Sequence, residues 1–145
     1  MSTARIAGVG MIKFTKPGQQ EPYRLMASKA IKLALNDAGI NYNLIQQAYA
    51  SYIYGDSTCG QHALYDVGMT GIPVVNVNNN CSSGSTALYL ARQAVASGAV
   101  ECALAFGFEE MQPGALGSAW EDREDPFSSM LGALEKVAPE TPHGP

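Results

Sequence analysis

The chain has 145 residues, of which 46% are hydrophobic and 15% charged, and its formal net charge is −4. This composition is typical of a globular protein with a buried core and argues against a disordered chain. The acidic balance does not favour nucleic-acid binding, and the lack of a long apolar run predicts no membrane span.

Strand and helix patterns alternate from the start of the chain. Residues 5–12 are apolar and contain glycine, which predicts a buried strand that ends in a turn at residues 16–18. Pro22 suits the first turn of a helix, whose apolar positions recur at helical spacing until the stop signal Gly39. Residues 48–54, rich in aromatic and small side chains, predict the second strand.

The alternation continues through the middle of the chain. A short helix around 61–68, a strand over 73–78, a helix over 82–97 and a strand over 101–108 are predicted. The order β-α-β-α-β-α-β predicts an α/β fold, with a mainly parallel sheet flanked by helices.

The composition changes near residue 112. We therefore expect residues 1–111 to form the core domain. Residues 112–145 are rich in proline and acidic side chains, and they predict an irregular loop segment or flexible tail with one short helix near 128–136.

Cys81 stands where the predicted strand 73–78 gives way to the predicted helix 82–97. Unpaired N–H groups of a first helical turn are expected to point toward a cysteine in this place, and the helix dipole favours its thiolate form. The same N–H groups stabilise an oxyanion formed when the sulfur attacks a carbonyl. The pattern predicts that Cys81 is a catalytic nucleophile, with backbone support at Gly84, which lets a ligand or another backbone approach closely. The alternative is a small buried hydrophobe at a helix start.

The other cysteines and the histidines give weaker patterns. Cys59 and His62 are three residues apart, which leaves a Cys–His pair open but offers too few ligands for a metal site. Cys102 lies in a buried-strand pattern and is predicted to be a core residue, whereas His62 is expected on a helix surface or at an interface. His143 lies close to the chain end. Three cysteines indicate free thiols in a reducing compartment rather than a disulfide framework.

Four stretches together resemble the thiolase superfamily, and most closely its sterol-carrier-protein type and the bacterial lipid-transfer relatives. They are GDSTCGQ at 55–61, GMTGIP at 68–73, NVNNNC at 76–81 and GSTAL at 84–88. The resemblance implies that Cys81 accepts an acyl group from an acyl-CoA as a thioester and that its main-chain N–H contributes to an oxyanion hole. Coenzyme A is then a substrate rather than a bound cofactor, contacted partly by the loop region that starts within 112–145.

The resemblance also implies partners. Thiolases dimerise through the N-terminal half, with the strand before the nucleophile near the two-fold axis, and the matching strand here is 74–78. A thiolase has a second, similar half that supplies the catalytic histidine and a second cysteine. Neither His62 nor His143 lies in a matching motif, so no base is assigned. We expect the N-terminal portion of a thiolase, inactive alone, present as a fragment, a truncated product or a subunit completed by another chain.

The function expected from this resemblance is acyl-CoA C-acyltransfer, with cleavage of a 3-oxoacyl-CoA through the Cys81 thioester. One alternative is an aldolase-type lipid-transfer protein that removes the side chain of a steroid-CoA ester. Another is a non-catalytic interaction module. The expected compartment is the cytoplasm, or the peroxisome in a eukaryote.

Overall fold

The computed structural model describes residues 3–115, 117 and 120–140, and the chain divides into two compact units between residues 113 and 114. The first unit contains α1 (Tyr23–Ala38), a 3₁₀ turn (Tyr42–Leu44), β1 (Gln47–Ser51), α2 (Cys59–Tyr65), β2 (Val74–Val77), α3 (Ser83–Ala96) and β3 (Ala103–Gly107). The second unit contains α4 (Ser128–Val137), where a short helix was predicted. In this described part of the chain, no helix combines the length and apolarity needed to cross a bilayer.

A three-stranded parallel sheet with the order β2-β1-β3 forms the centre of the first unit. Ala48 of β1 aligns with Val74 and Leu104 at one end of the register, and Ser51 aligns with Val77 and Gly107 at the other. Alternate residues of β1 face opposite sides. Ala48 and Ala50 join a core cluster with residues of α1 and α2, while Tyr49 packs with α3. The predicted α/β class with a parallel sheet flanked by helices is confirmed.

The predicted first strand, residues 5–12, is not a strand in the structure, which reduces the expected four strands to three among the described residues. The segment lies along α1. The backbone at Gly10 is so close to the helix that an added Cβ would stand 2.2 Å from the Ala30 carbonyl oxygen. Val9 N–H donates to Asp37 Oδ2 at 2.9 Å. Glycine permits this approach, and contact with the helix replaces the pairing with a neighbouring strand that the apolar pattern predicted.

The helix boundaries follow the local sequence signals. α1 ends at Gly39 as predicted, with a left-handed φ of 66° and a hydrogen bond from its N–H to the Asn36 carbonyl at 3.1 Å. α2 begins at Cys59, two residues before the predicted start, after Thr58 takes a left-handed φ of 66°. Cys59 is therefore the first residue of a helix and is buried, with 5% exposed.

Gly60 sets how closely α2 approaches the sheet. An added Cβ there would stand 2.4 Å from both Ala50 Cβ and Asn76 Oδ1. The Asn76 side chain also accepts a bond from Gly60 N–H at 3.0 Å and donates to Gln61 Oε1 at 2.8 Å. These contacts tie the start of α2 to β2, the strand that leads to Cys81.

We predict that Gly60→Ala lowers the free energy of unfolding by about 2 kcal/mol, because the new methyl group forces the backbone apart. Gly84→Ala is the matched control. Its Cβ would meet only Ser51 Oγ at 3.9 Å, so the change is expected to be below about 1 kcal/mol and stabilising. Urea unfolding of both variants measures the difference, and equal effects would contradict the close contact at Gly60.

Candidate active site

Cys81 lies in the short connection between β2 and α3, one residue before the helix cap Ser82. Its side chain is exposed, and Sγ lies 3.7 Å from Asn80 Oδ1, close enough for the thiol to donate to that oxygen. The structure therefore places Cys81 at the predicted strand-to-helix junction. The alternative of a small buried hydrophobe does not describe it.

The residue before Cys81 has an unusual backbone. Asn80 adopts a left-handed φ of 48°, which asparagine tolerates better than most residues. Its N–H donates to Asn78 Oδ1 at 3.1 Å. Its carbonyl oxygen accepts from the Ser83 hydroxyl at 2.7 Å and from Ser83 N–H at 3.0 Å. Hydrogen bonds on both sides of the residue therefore hold the turn that presents Cys81.

The first amides of α3 differ from the sequence prediction. Ser82 N–H donates to the Asn79 carbonyl at 3.1 Å, and Ser83 N–H is used by Asn80. These two groups close the turn instead of pointing freely toward the sulfur, so the expectation was wrong for them. Among the residues that the structure describes, Gly84 and Ser85 keep first-turn amides that no backbone carbonyl accepts.

Gly84 has open space beside it. Because an added Cβ would meet only Ser51 Oγ among the described residues, packing within that part of the chain does not require glycine at this position. Its predicted role in allowing close approach therefore concerns a ligand or a partner, and it stays a prediction, as does the oxyanion role of the Cys81 amide.

Cys59 and His62 belong to a different cluster, built around Tyr23. The Tyr23 hydroxyl lies 2.6 Å from His62 Nδ1, and the two rings meet edge-on with centroids 5.7 Å apart. His62 thus sits on α2 and contacts α1. Within residues 3–115, 117 and 120–140, no group of three metal-ligating side chains forms. His143 lies outside the described residues.

Burial is the main cause that raises the pKa of Tyr23 to about 12, and the neighbouring Cys59 and Glu110 side chains are smaller causes. The hydroxyl therefore stays protonated over the physiological range and acts as a neutral hydrogen-bonding group.

Aromatic rings and a carboxylate gather where β1 and β3 end. Phe108 stacks on Tyr23 and on Tyr52, with centroid distances of 4.8 and 5.0 Å. Glu109 accepts bonds from the N–H groups of Ile53 at 2.8 Å and Tyr54 at 3.1 Å. The carboxylate therefore ties the loop after β1 to the segment after β3.

Cys102 precedes β3 and is half-buried. It packs against the outside of the core cluster that contains Ala48 and Ala50. Burial raises the pKa of its thiol. It is therefore a less reactive thiol than an exposed cysteine with an ordinary environment.

Two parts of this region were not predicted. The asparagine run 78–80 is a turn signal that could have located the left-handed residue. No sequence signal predicts the hydrogen bonds of the Ser83 hydroxyl. The contact between Tyr23 and His62 joins residues 39 positions apart, and only the tertiary fold brings them together.

Comparison with known proteins places this chain in a family. Residues 5–124 match the family model of the thiolase N-terminal domain, and the chain belongs to the thiolase family. It is 53% identical over 132 residues to human sterol carrier protein 2, covering 89% of this chain and 24% of that protein. It is 34% identical over 133 residues to the benzoylsuccinyl-CoA thiolase subunit BbsB of Thauera aromatica, covering 87% of this chain and 34% of that subunit.

Solved structures show the same fold. The solved structure of the Ltp2-ChsH2(DUF35) aldolase matches with a TM-score of 0.63 and 19% identity, over 94% of this chain and 34% of the matched chain. The chain therefore spans about a quarter to a third of the length of these similar proteins. The sterol-carrier-type thiolase resemblance inferred from the four sequence stretches is confirmed.

The raised pKa of Tyr23 makes stability depend on pH. Unfolded tyrosine ionises near pH 10, whereas folded Tyr23 does so near pH 12. Between these values the folded chain holds a proton that the unfolded chain has lost, so stability falls as pH rises. We predict that the free energy of unfolding falls less steeply with pH in Tyr23→Phe than in the wild type. Urea unfolding at a series of pH values between 10 and 12 measures both slopes.

Tyr89→Phe is the control, because Tyr89 is an exposed tyrosine on α3. The variant removes an exposed phenol and serves as the reference for the loss of one tyrosine. A Tyr23→Phe slope that equals the slope of this reference would contradict the raised pKa of Tyr23.

Proposed function

We propose that this chain carries the nucleophile of an acyl-CoA C-acyltransferase that cleaves 3-oxoacyl-CoA. The observation that supports the proposal is the exposed Cys81 thiol at the junction of β2 and α3, in a chain of the thiolase family. Nucleophilic catalysis needs a thiol that a substrate can reach and backbone donors close to it.

The reaction follows from thiol chemistry. The Cys81 sulfur attacks the 3-keto carbonyl, and a tetrahedral oxyanion forms. The bond between C2 and C3 then breaks, the acyl group stays on Cys81 as a thioester, and the two-carbon CoA fragment leaves as a carbanion that takes up a proton. A second coenzyme A accepts the acyl group and restores the thiol.

Two proton transfers in this scheme need an acid and a base. Among the described residues, the hydrogen bond of the Cys81 thiol goes to the Asn80 amide oxygen, and the His62 ring is engaged with Tyr23. Neither contact offers Cys81 a base. The 145 residues alone are therefore expected to accept an acyl group without sustained turnover, and the remaining groups come from a further part of the protein or from a partner.

A partner also fits the sheet. Among the strands that the structure describes, β2 lies at an edge of the sheet, and the side chains of Val75 and Asn76 are exposed along it. Unpaired strand edges pair readily with another chain. A homodimer, or a complex with the chain that supplies the second thiolase half, would cover this edge.

The aldolase alternative shares the fold but not the use of the thiol. An aldol-type cleavage breaks the carbon–carbon bond without acyl transfer to a cysteine, so an exposed cysteine at the helix start has no defined role in it. The exposed thiol therefore favours acyl transfer over both the aldolase and the non-catalytic module.

Iodoacetamide labelling at neutral pH should modify Cys81 first, about tenfold or more faster than Cys102, whose burial disfavours the thiolate. Mass spectrometry of peptides from timed samples gives both rates in one experiment. Cys81→Ala provides the control for peptide assignment. Equally slow modification of the two cysteines would contradict an accessible nucleophile at residue 81.

Sedimentation velocity at low micromolar concentration should show a species heavier than the monomer, because an open strand edge and exposed apolar side chains favour association. A stable monomer over this concentration range would contradict self-association through the β2 edge.

A further inference from the structure

Ser83 differs from the serines on either side of it. It is the first residue of α3 and is buried, with 5% exposed, whereas Ser82 and Ser85 are exposed. Its hydroxyl accepts a hydrogen bond from Asn79 N–H at 2.8 Å and donates one to the Asn80 carbonyl at 2.7 Å. The hydroxyl is therefore hydrogen-bonded, as acceptor and as donor, to the two residues that precede Cys81.

The bond to Asn80 has a consequence for the next residue. The Asn80 carbonyl and the Cys81 N–H belong to one peptide group, and in a planar trans peptide they point in opposite directions. The described chain contains no cis peptide bond. By holding the carbonyl with its own N–H and, more closely, with its hydroxyl, Ser83 also sets the direction of the Cys81 N–H.

The local backbone needs such support. Asn80 has a left-handed φ of 48°, a conformation that costs free energy unless surrounding bonds maintain it. Asn78 Oδ1 holds the N–H side of Asn80, and Ser83 holds its carbonyl side. Rotation of the peptide between Asn80 and Cys81 would break the 2.7 Å bond to the Ser83 hydroxyl.

We propose that Ser83 is a positioning residue that directs the Cys81 N–H at the oxyanion formed when Cys81 is acylated. The proposal rests on the proposed function, in which Cys81 attacks an acyl carbonyl. Ser83 acts through the peptide group and not on the sulfur. Loss of its hydroxyl therefore slows steps that build an oxyanion and spares steps that do not.

Two reagents separate these effects on the 145-residue chain. With p-nitrophenyl acetate, the sulfur attacks the ester carbonyl, an oxyanion forms, and nitrophenolate leaves as the acetyl thioester is made. The thiol proton passes to the buffer. With iodoacetamide, the sulfur displaces iodide from a saturated carbon, and no oxyanion forms. The ratio of the two rates at Cys81, read from peptide masses and corrected with Cys81→Ala, reports on the N–H donor.

In Ser83→Ala the acetylation rate is expected to fall about tenfold or more, since losing an oxyanion donor typically costs a hundredfold or more in rate. Alkylation should stay within about twofold, so the ratio falls. Ser83→Thr keeps a hydroxyl and should retain the wild-type ratio. Ser85→Ala, the same change at an exposed position two residues on, should also leave the ratio unchanged.

Several results would overturn the assignment. These are equal loss of both rates in Ser83→Ala, no change in either rate, or a ratio in Ser83→Thr as low as in Ser83→Ala. If Ser83→Ala does not fold, Asn78→Ala removes the side-chain acceptor of the Asn80 N–H and so loosens the left-handed residue from the other side. It should lower the ratio too, and an unchanged ratio there contradicts the proposal. Absence of Cys81-dependent acetylation in the wild type would instead refute the proposed function.

Discussion

Parallel pairing of the three strands is the constraint on which the site depends. Strands that run in one direction end at one edge of the sheet, so the segments that follow them are brought together there. The aromatic residues after β1, the asparagine turn with Cys81 after β2, and Phe108 with Glu109 after β3 all come from these ends. Chain segments separated by some thirty residues each thus contribute to one side of the domain.

The junction at Cys81 combines features that core packing alone does not explain. A left-handed asparagine, an exposed thiol and a buried hydroxyl lie within the four positions 80–83. Left-handed residues other than glycine are uncommon, and they are found where surrounding bonds maintain them, often at functional sites. The bonds from Asn78 and Ser83 do so here.

Local signals predicted much of the fold. Gly39 ends α1 because it adopts the left-handed conformation that glycine accepts without strain, and the β-branched run before the asparagines forms β2. The failure at residues 5–12 has a physical cause. An apolar run containing glycine fits both a buried strand and a segment packed on a helix, and strand pairing depends on a distant neighbour that periodicity does not specify.

The site was predicted less completely than the fold. The position of Cys81 followed from the strand and helix around it, but the use of the Ser82 and Ser83 amides within the turn did not, because it depends on the left-handed Asn80. The Tyr23–His62 contact is likewise a product of α1 packing beside α2. A capping signal predicts the single residue at which a helix begins or ends. The hydrogen bonds inside a turn depend on the backbone angles of several residues together.

The proposed chemistry requires Cys81 to accept an acyl group from a coenzyme A thioester. This step is observed by incubating the chain with acetyl-CoA and weighing its peptides at mildly acidic pH. We expect one acetyl group on the peptide that contains residue 81, removed by added coenzyme A, and none on the peptides that contain Cys59 or Cys102. An unmodified residue 81, or acetylation spread equally over the three cysteines, would contradict it.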